Sequence, residues 1–121
     1  MKYIKMYENF SNSDLNKMAE DLLVDKEIIA TDADLVDSLP FRISSDVLKF
    51  KPIFCDIKTA NGGKILEVYV LRQSIEGTCT NQSYGQYSDE MAMSMVMTAW
   101  IHWNITSKNL PEHVDVMVYI K

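Results

Sequence analysis

With 121 residues, 47% of them apolar and 24% charged, the chain has the size and composition of one folded globular domain, 1–121, and not of a disordered or modular protein. Its formal net charge of −5 lies wholly in the first third. Residues 1–39 hold four Lys against nine Asp and Glu, while residues 40–121 hold eight Lys and Arg against eight acids. No cluster of Lys and Arg is present to follow a phosphate backbone, and no apolar run is long enough to cross a bilayer, so neither nucleic acid nor membrane is an expected partner.

The opening, MKYIKMYENF, lacks the apolar core and small-residue cleavage site of a secretory signal, which makes the cytoplasm the expected compartment. There the two cysteines, Cys55 and Cys79, are expected as thiols, and without close partner histidines they predict no metal site. No cofactor motif is found. Met1-Lys2, the apolar and aromatic pair Tyr3-Ile4, and the acidic–aromatic element Tyr7-Glu8-Asn9-Phe10 together resemble the openings of small accessory proteins of tailed phages. The resemblance covers less than a tenth of the chain. It implies a phage origin, and with it a host cytoplasm, and names no activity.

From Asn12 the pattern becomes helical. Ser13 is the expected cap, Asp14 falls in the first turn, and Leu15, Met18, Leu22 and Val24 lie close to one stripe. A second short helix is expected with Thr31 as its cap and Leu35 as its inward anchor, ending before Pro40. Short strands are expected at Phe41–Ile43 and Val47–Phe50.

The clearest local signal is a hairpin over 51–73 around Asn61-Gly62-Gly63, since Gly and Asn accept the positive φ of a tight turn. A turn at Asn61-Gly62 sets Asp56 against Glu67, whereas a turn at Gly62-Gly63 sets Lys58 there. Opposed like charges are unfavourable, so the second register is preferred. In both, Ile53, Cys55 and Ile57 face the core and Phe54, Tyr69 and Leu71 face outward. That second face is apolar enough to need cover, by a helix, by another strand or by a second subunit, and the last of these is the ground for expecting a homo-oligomer. Pro52 marks the start of its strand or a sheet edge. The final strand, His113–Lys121, places Val114, Val116, Val118 and Ile120 on one face and Asp115, Met117 and Tyr119 on the other.

The stretch Ser88–Ile105 is read as a central buried helix. Ser88 can cap it, Asp89 and Glu90 suit the positive end of its dipole, and the run is too long for a typical strand, although Met91, Met93, Met95 and Met97 alternate as strand residues would. The expected architecture is therefore α+β, with two N-terminal helices, a mainly antiparallel sheet of about four strands and one central helix.

No catalytic constellation is recognisable. Cys79 would need a base, and His102 lies near the far end of the helix, roughly 20 Å away at ~1.5 Å per residue. His102 itself reads as a partly buried histidine suited to a helix C-terminus. The loop 74–87 is rich in neutral donors and acceptors, and it gives Thr78, Cys79, Asn81, Gln82, Ser83, Tyr84 and Tyr87 as candidate ligand or partner contacts, with Arg72 beside it. Trp100 and Trp103 fit core packing and also fit an interface; in the second role Trp103 joins the candidate contacts as an anchor, and the eight Met add an adaptable surface. The expected function is a small non-enzymatic binding protein, in a phage setting an inhibitor of a host or defence component. The competing expectation is a binder that sequesters a polar metabolite or signalling nucleotide.

Overall fold

Ser11, not Ser13, starts the first helix of the computed structural model, which describes residues 11–31, 47–77, 88–106, 109–110 and 113–121. The Ser11 side chain accepts a hydrogen bond from the Asp14 amide at 3.1 Å, and its carbonyl accepts from the Leu15 amide. This places Asp14 at the third helical position, inside the positive end of the dipole. Helix α1 spans Asn12–Leu23 and buries Leu15, Ala19 and Leu23, with Met18, Leu22 and Val24 packed alongside. It stops at Val24. Asp25 then adopts φ +62°, a left-handed conformation that short polar side chains tolerate, and its amide donates to the Pro52 carbonyl.

The chain next forms β1, Ile28–Thr31, a strand not expected from the sequence. Thr31, the expected cap of a second helix, is its last residue. Ile28-Ile29-Ala30-Thr31 is largely β-branched and alternates, with Ile28 and Ala30 buried and Ile29 exposed, so the short run suits a half-buried strand. The rest of the expected second helix and the expected strand at 41–43 lie outside the described residues. β1 pairs antiparallel with β2, Val47–Phe50.

Strand β3, Pro52–Ala60, begins one residue later and belongs to a different sheet. Thus, among the described residues, two sheets of two and three strands stand where a single sheet of about four strands was expected. Pro52 has no amide to donate, so a continuous ladder cannot run through it. The other edge of β2 is instead engaged by Glu76, which exchanges two backbone hydrogen bonds with Lys49.

β3 pairs antiparallel with β4, Gly63–Val70, in the register Ala60↔Gly63, Ile57↔Leu66 and Asp56↔Glu67. The turn is therefore Asn61-Gly62, with φ of +50° and +79°, and the preferred alternative at Gly62-Gly63 is overturned. Turn geometry outweighs the opposed carboxylates, because two consecutive residues must take positive φ and Asn-Gly is the pair best suited to it. The register also slips between Pro52 and Phe54, which leaves Ile53 exposed and off the core face where it was expected.

Helix α2, Asp89–Ile101, lies in the connection from β4 to β5, Asp115–Ile120, and β5 runs parallel to β4 along its free side. A parallel pair needs such a crossover connection. The sheet order is β3-β4-β5, with α1 over β3 and α2 over β5 on the same face. Between them Cys55, Ile57, Leu66, Val68, Val70, Val116 and Val118 meet the helix residues in one core.

Ser88 caps α2 as expected, accepting from the Met91 amide at 3.1 Å. Ala92, Val96, Met97 and Ile101 form its buried stripe. The alternation of the methionines thus resolves into helical spacing, with Met97 buried, Met93 and Met95 partly buried and Met91 exposed. The helix closes in a π turn, His102–Thr106, where the buried Thr106 hydroxyl donates to the His102 carbonyl at 2.6 Å. No helix among the described residues is long and apolar enough to cross a membrane.

Candidate functional site

The outer edge of β5 and the flank of α2 frame a concave surface. Lys121 donates to Val70 and accepts from Arg72, so the odd-numbered residues of β5 direct their backbone groups to β4. The even-numbered ones direct theirs outward. One of these, the Val118 carbonyl, accepts a hydrogen bond from the Ser94 hydroxyl of α2 at 2.9 Å. Two grooves meet at this pair. The larger, about 670 Å³, is lined chiefly by Met95, Thr98, Ala99, His102, Asp115 and Met117; the smaller, about 350 Å³, runs past Met91 and Tyr119.

His102, His113 and Asp115 converge at the larger groove, which His102 and Asp115 help to line. A ligand atom from each lies within 4.8 Å of the other two. Residues 113 and 115 share one side of extended backbone because side chains repeat every second residue, and the end of α2 brings His102 to them. The imidazole rings meet edge to face, with centroids 5.4 Å apart. Nothing in the sequence reading grouped these three residues. The i, i+2 pair His113 and Asp115 carried the only signal, and the third member depends on how α2 ends.

A second surface is the outer face of the three-stranded sheet. Phe54 and Tyr69 are 5.7 Å apart between centroids, and Tyr69 stacks on Tyr119 at 5.2 Å. The Lys121 ammonium lies over both tyrosine rings. Phe54 is 54% exposed and Met117 47% exposed, and no described element covers this face. Lys58 pairs with Glu67 at 3.0 Å on the same face. Burial and the neighbouring Glu67 carboxylate push the Tyr119 hydroxyl above its ordinary pKa.

Of the sequence candidates, Arg72 and Trp103 fall among the described residues. Arg72 sits in a 3₁₀ turn, Arg72–Ser74, directly after β4, and its guanidinium is paired with Glu90 in the first turn of α2. That hydrogen bond holds the Glu90 carboxyl below its usual range. Trp103 stands on the π turn and is 59% exposed, whereas Trp100 packs partly against the core. Thr78, Cys79, Asn81, Gln82, Ser83, Tyr84 and Tyr87 lie outside the described residues. Cys55 is buried, and burial, followed by the nearby Glu20 and Asp56 charges, pushes its thiol up to about 12. This is a packed thiol and no nucleophile at neutral pH.

No protein-family model, no curated protein and no solved structure matches the chain.

Proposed function

We propose that this chain is a small non-enzymatic binding protein that engages a protein partner through the outer face of the β3-β4-β5 sheet. The aromatic row Phe54–Tyr69–Tyr119, bordered by Met117, is the observation that supports the reading. Amphipathic rings and Met present large contact area on a rigid sheet, and such residues anchor protein interfaces. Trp103 would extend the contact from the π turn. The resemblance of the first ten residues to phage accessory proteins supplies a setting, in which the partner is a host or defence component and the binding is inhibitory. Self-association through the same face would leave the chain a homo-oligomer until the partner displaces it.

The larger groove between α2 and β5 favours a second reading, sequestration of a small molecule. Its volume of about 670 Å³ and its apolar lining with a few polar groups fit a small-ligand site.

Native mass spectrometry of the protein, purified gently from the cells that make it, tests both. A second polypeptide that is lost on Phe54→Lys supports the partner reading. A small non-covalent adduct that survives Phe54→Lys supports sequestration. A bare monomer in both proteins overturns the two readings together.

A further inference from the structure

We infer that His102, His113 and Asp115 form a binding site for a divalent transition-metal ion of the zinc type, joining the end of α2 to the start of β5. The donor set carries the choice of metal. Two imidazoles and one carboxylate are the ligands Zn²⁺ accepts when one coordination position is left open, and hard cations such as Mg²⁺ favour all-oxygen sets. The inference does not rest on the partner-binding reading, and it goes against the expectation that the chain holds no metal.

The spacing fits. Metal–ligand distances of about 2.0 Å in tetrahedral geometry put neighbouring donor atoms about 3.3 Å apart. The three donors here lie within 4.8 Å of one another, and His113 Nε2 is 3.7 Å from Asp115 Oδ1. A separation of 3.7 Å is too long for a hydrogen bond between those two atoms and leaves them within ion-pair contact distance. Small side-chain rotations would close all three on an ion, and His113 and Asp115, both about three-quarters exposed, can make them without disturbing the core.

The backbone supports the same conclusion. His102 opens a π turn, a rare wide turn that is found disproportionately at functional positions. Thr106 holds that turn by donating to the His102 carbonyl. The ligands come from opposite ends of the connection that carries the chain from α2 to β5, so an ion would cross-link the two elements flanking the larger groove. Because His102 and Asp115 line that groove, the open coordination position is available to water or to a donor atom of a molecule seated there.

The test is titration of untagged, chelator-treated protein with ZnCl₂ by calorimetry, and with CoCl₂ by visible absorption. The expected result is one ion per chain and Co²⁺ d–d bands of a four- or five-coordinate nitrogen–oxygen site. His113→Ala and Asp115→Ala should each weaken Zn²⁺ binding at least tenfold with circular dichroism unchanged, and His102→Ala should do the same if it folds. Cys79→Ser should bind as the parent does. Absence of saturable one-to-one binding overturns the inference. So does binding that His113→Ala and Asp115→Ala leave unaltered, or binding that Cys79→Ser abolishes.

Discussion

Lys58 and Glu67 form a 3.0 Å ion pair on a diagonal of the β3–β4 hairpin, although the residue directly opposite Glu67 is Asp56 and the residue opposite Lys58 is Ile65. A lysine side chain is long enough to reach the diagonal neighbour, so the carboxylate of Glu67 is compensated without moving the register. Hydrogen bonding to Glu67 and its charge raise the Lys58 amine above its ordinary pKa. The pair's contribution is therefore full below the ordinary lysine pKa and is lost as pH rises through the raised value. It is exposed enough that salt should screen it.

The turn, and not the ion pair, sets the register, and two alanine substitutions test this. Gly62 holds φ +79°, and a Cβ there meets nothing within 4 Å, so the cost of Gly62→Ala is purely conformational, about 1 kcal/mol. Gly63 needs no positive φ, and a Cβ would find only the Ala60 carbonyl at 3.8 Å, so Gly63→Ala should stay within about 0.5 kcal/mol of the parent. Urea denaturation measures both. If Gly63→Ala proved the costlier change, the turn would sit one residue later than described.

This hairpin shows how far the sequence could be read. Asn61-Gly62-Gly63 announced a turn, and both candidate registers kept Cys55, Ile57, Leu66 and Val68 on one face, so the core was legible even though the register preferred was wrong. The error came from treating charge pairing as strictly cross-strand. The Ser88 cap and the length of the apolar run marked α2 for a local reason: a cap and a helical face are written within one segment. Strand partnership is not. That β5 would lie parallel to β4, or that Lys49 would bond Glu76, depends on residues far apart in sequence. The His102–His113–Asp115 cluster was hidden for the same reason, since only the packing of α2 on β5 brings its members together.

Cys55 should be silent to thiol reagents in the native protein. Its thiol is held near 12 against an ordinary value of 9.0, so the reactive thiolate is scarce at neutral pH. In a Cys79→Ser background, labelling at pH 8 should proceed only as fast as the protein opens, and one thiol should appear on denaturation. The sign of the linked pH effect follows from the raised value. Below pH 9 the thiol is neutral in both folded and unfolded chains. Between about 9 and 12 only the unfolded chain ionises it, and stability falls. Cys55→Ala, although it costs packing, should show a shallower alkaline loss by up to one proton. A parallel pH profile in parent and variant would count against this burial.

The start of α2 should report on acid. Ser88 caps the Met91 amide, and Ser88→Ala should cost about 1 kcal/mol in thermal or urea unfolding. Glu90, whose carboxyl is held below its usual range chiefly by its hydrogen bond to Arg72, contributes stability that is present above the ordinary glutamate pKa. That contribution is lost as pH falls through the depressed folded value. Arg72→Gln should remove this part of the acid dependence while leaving the neutral-pH fold unchanged by circular dichroism. An Arg72→Gln profile that retained the full acid slope would mean that the pair is not maintained in solution.

Met97 and Trp103, six residues apart, should respond to truncation in opposite ways. Met97 is fully buried in the stripe that α2 turns toward β5, so Met97→Ala should open a cavity and cost about 2–5 kcal/mol. Trp103 is 59% exposed on the π turn, so Trp103→Ala should change stability by less than about 0.5 kcal/mol despite removing the larger side chain. Its indole should also be the more accessible of the two tryptophans to a neutral quencher, a difference that Trp100→Phe and Trp103→Phe would assign. The contrast matters for function, because a large aromatic that adds nothing to stability is open to selection for contact with another molecule. If Trp103→Ala destabilised the chain as much as Met97→Ala, the ring would have to be buried in the native protein, and its place at a partner interface would be lost.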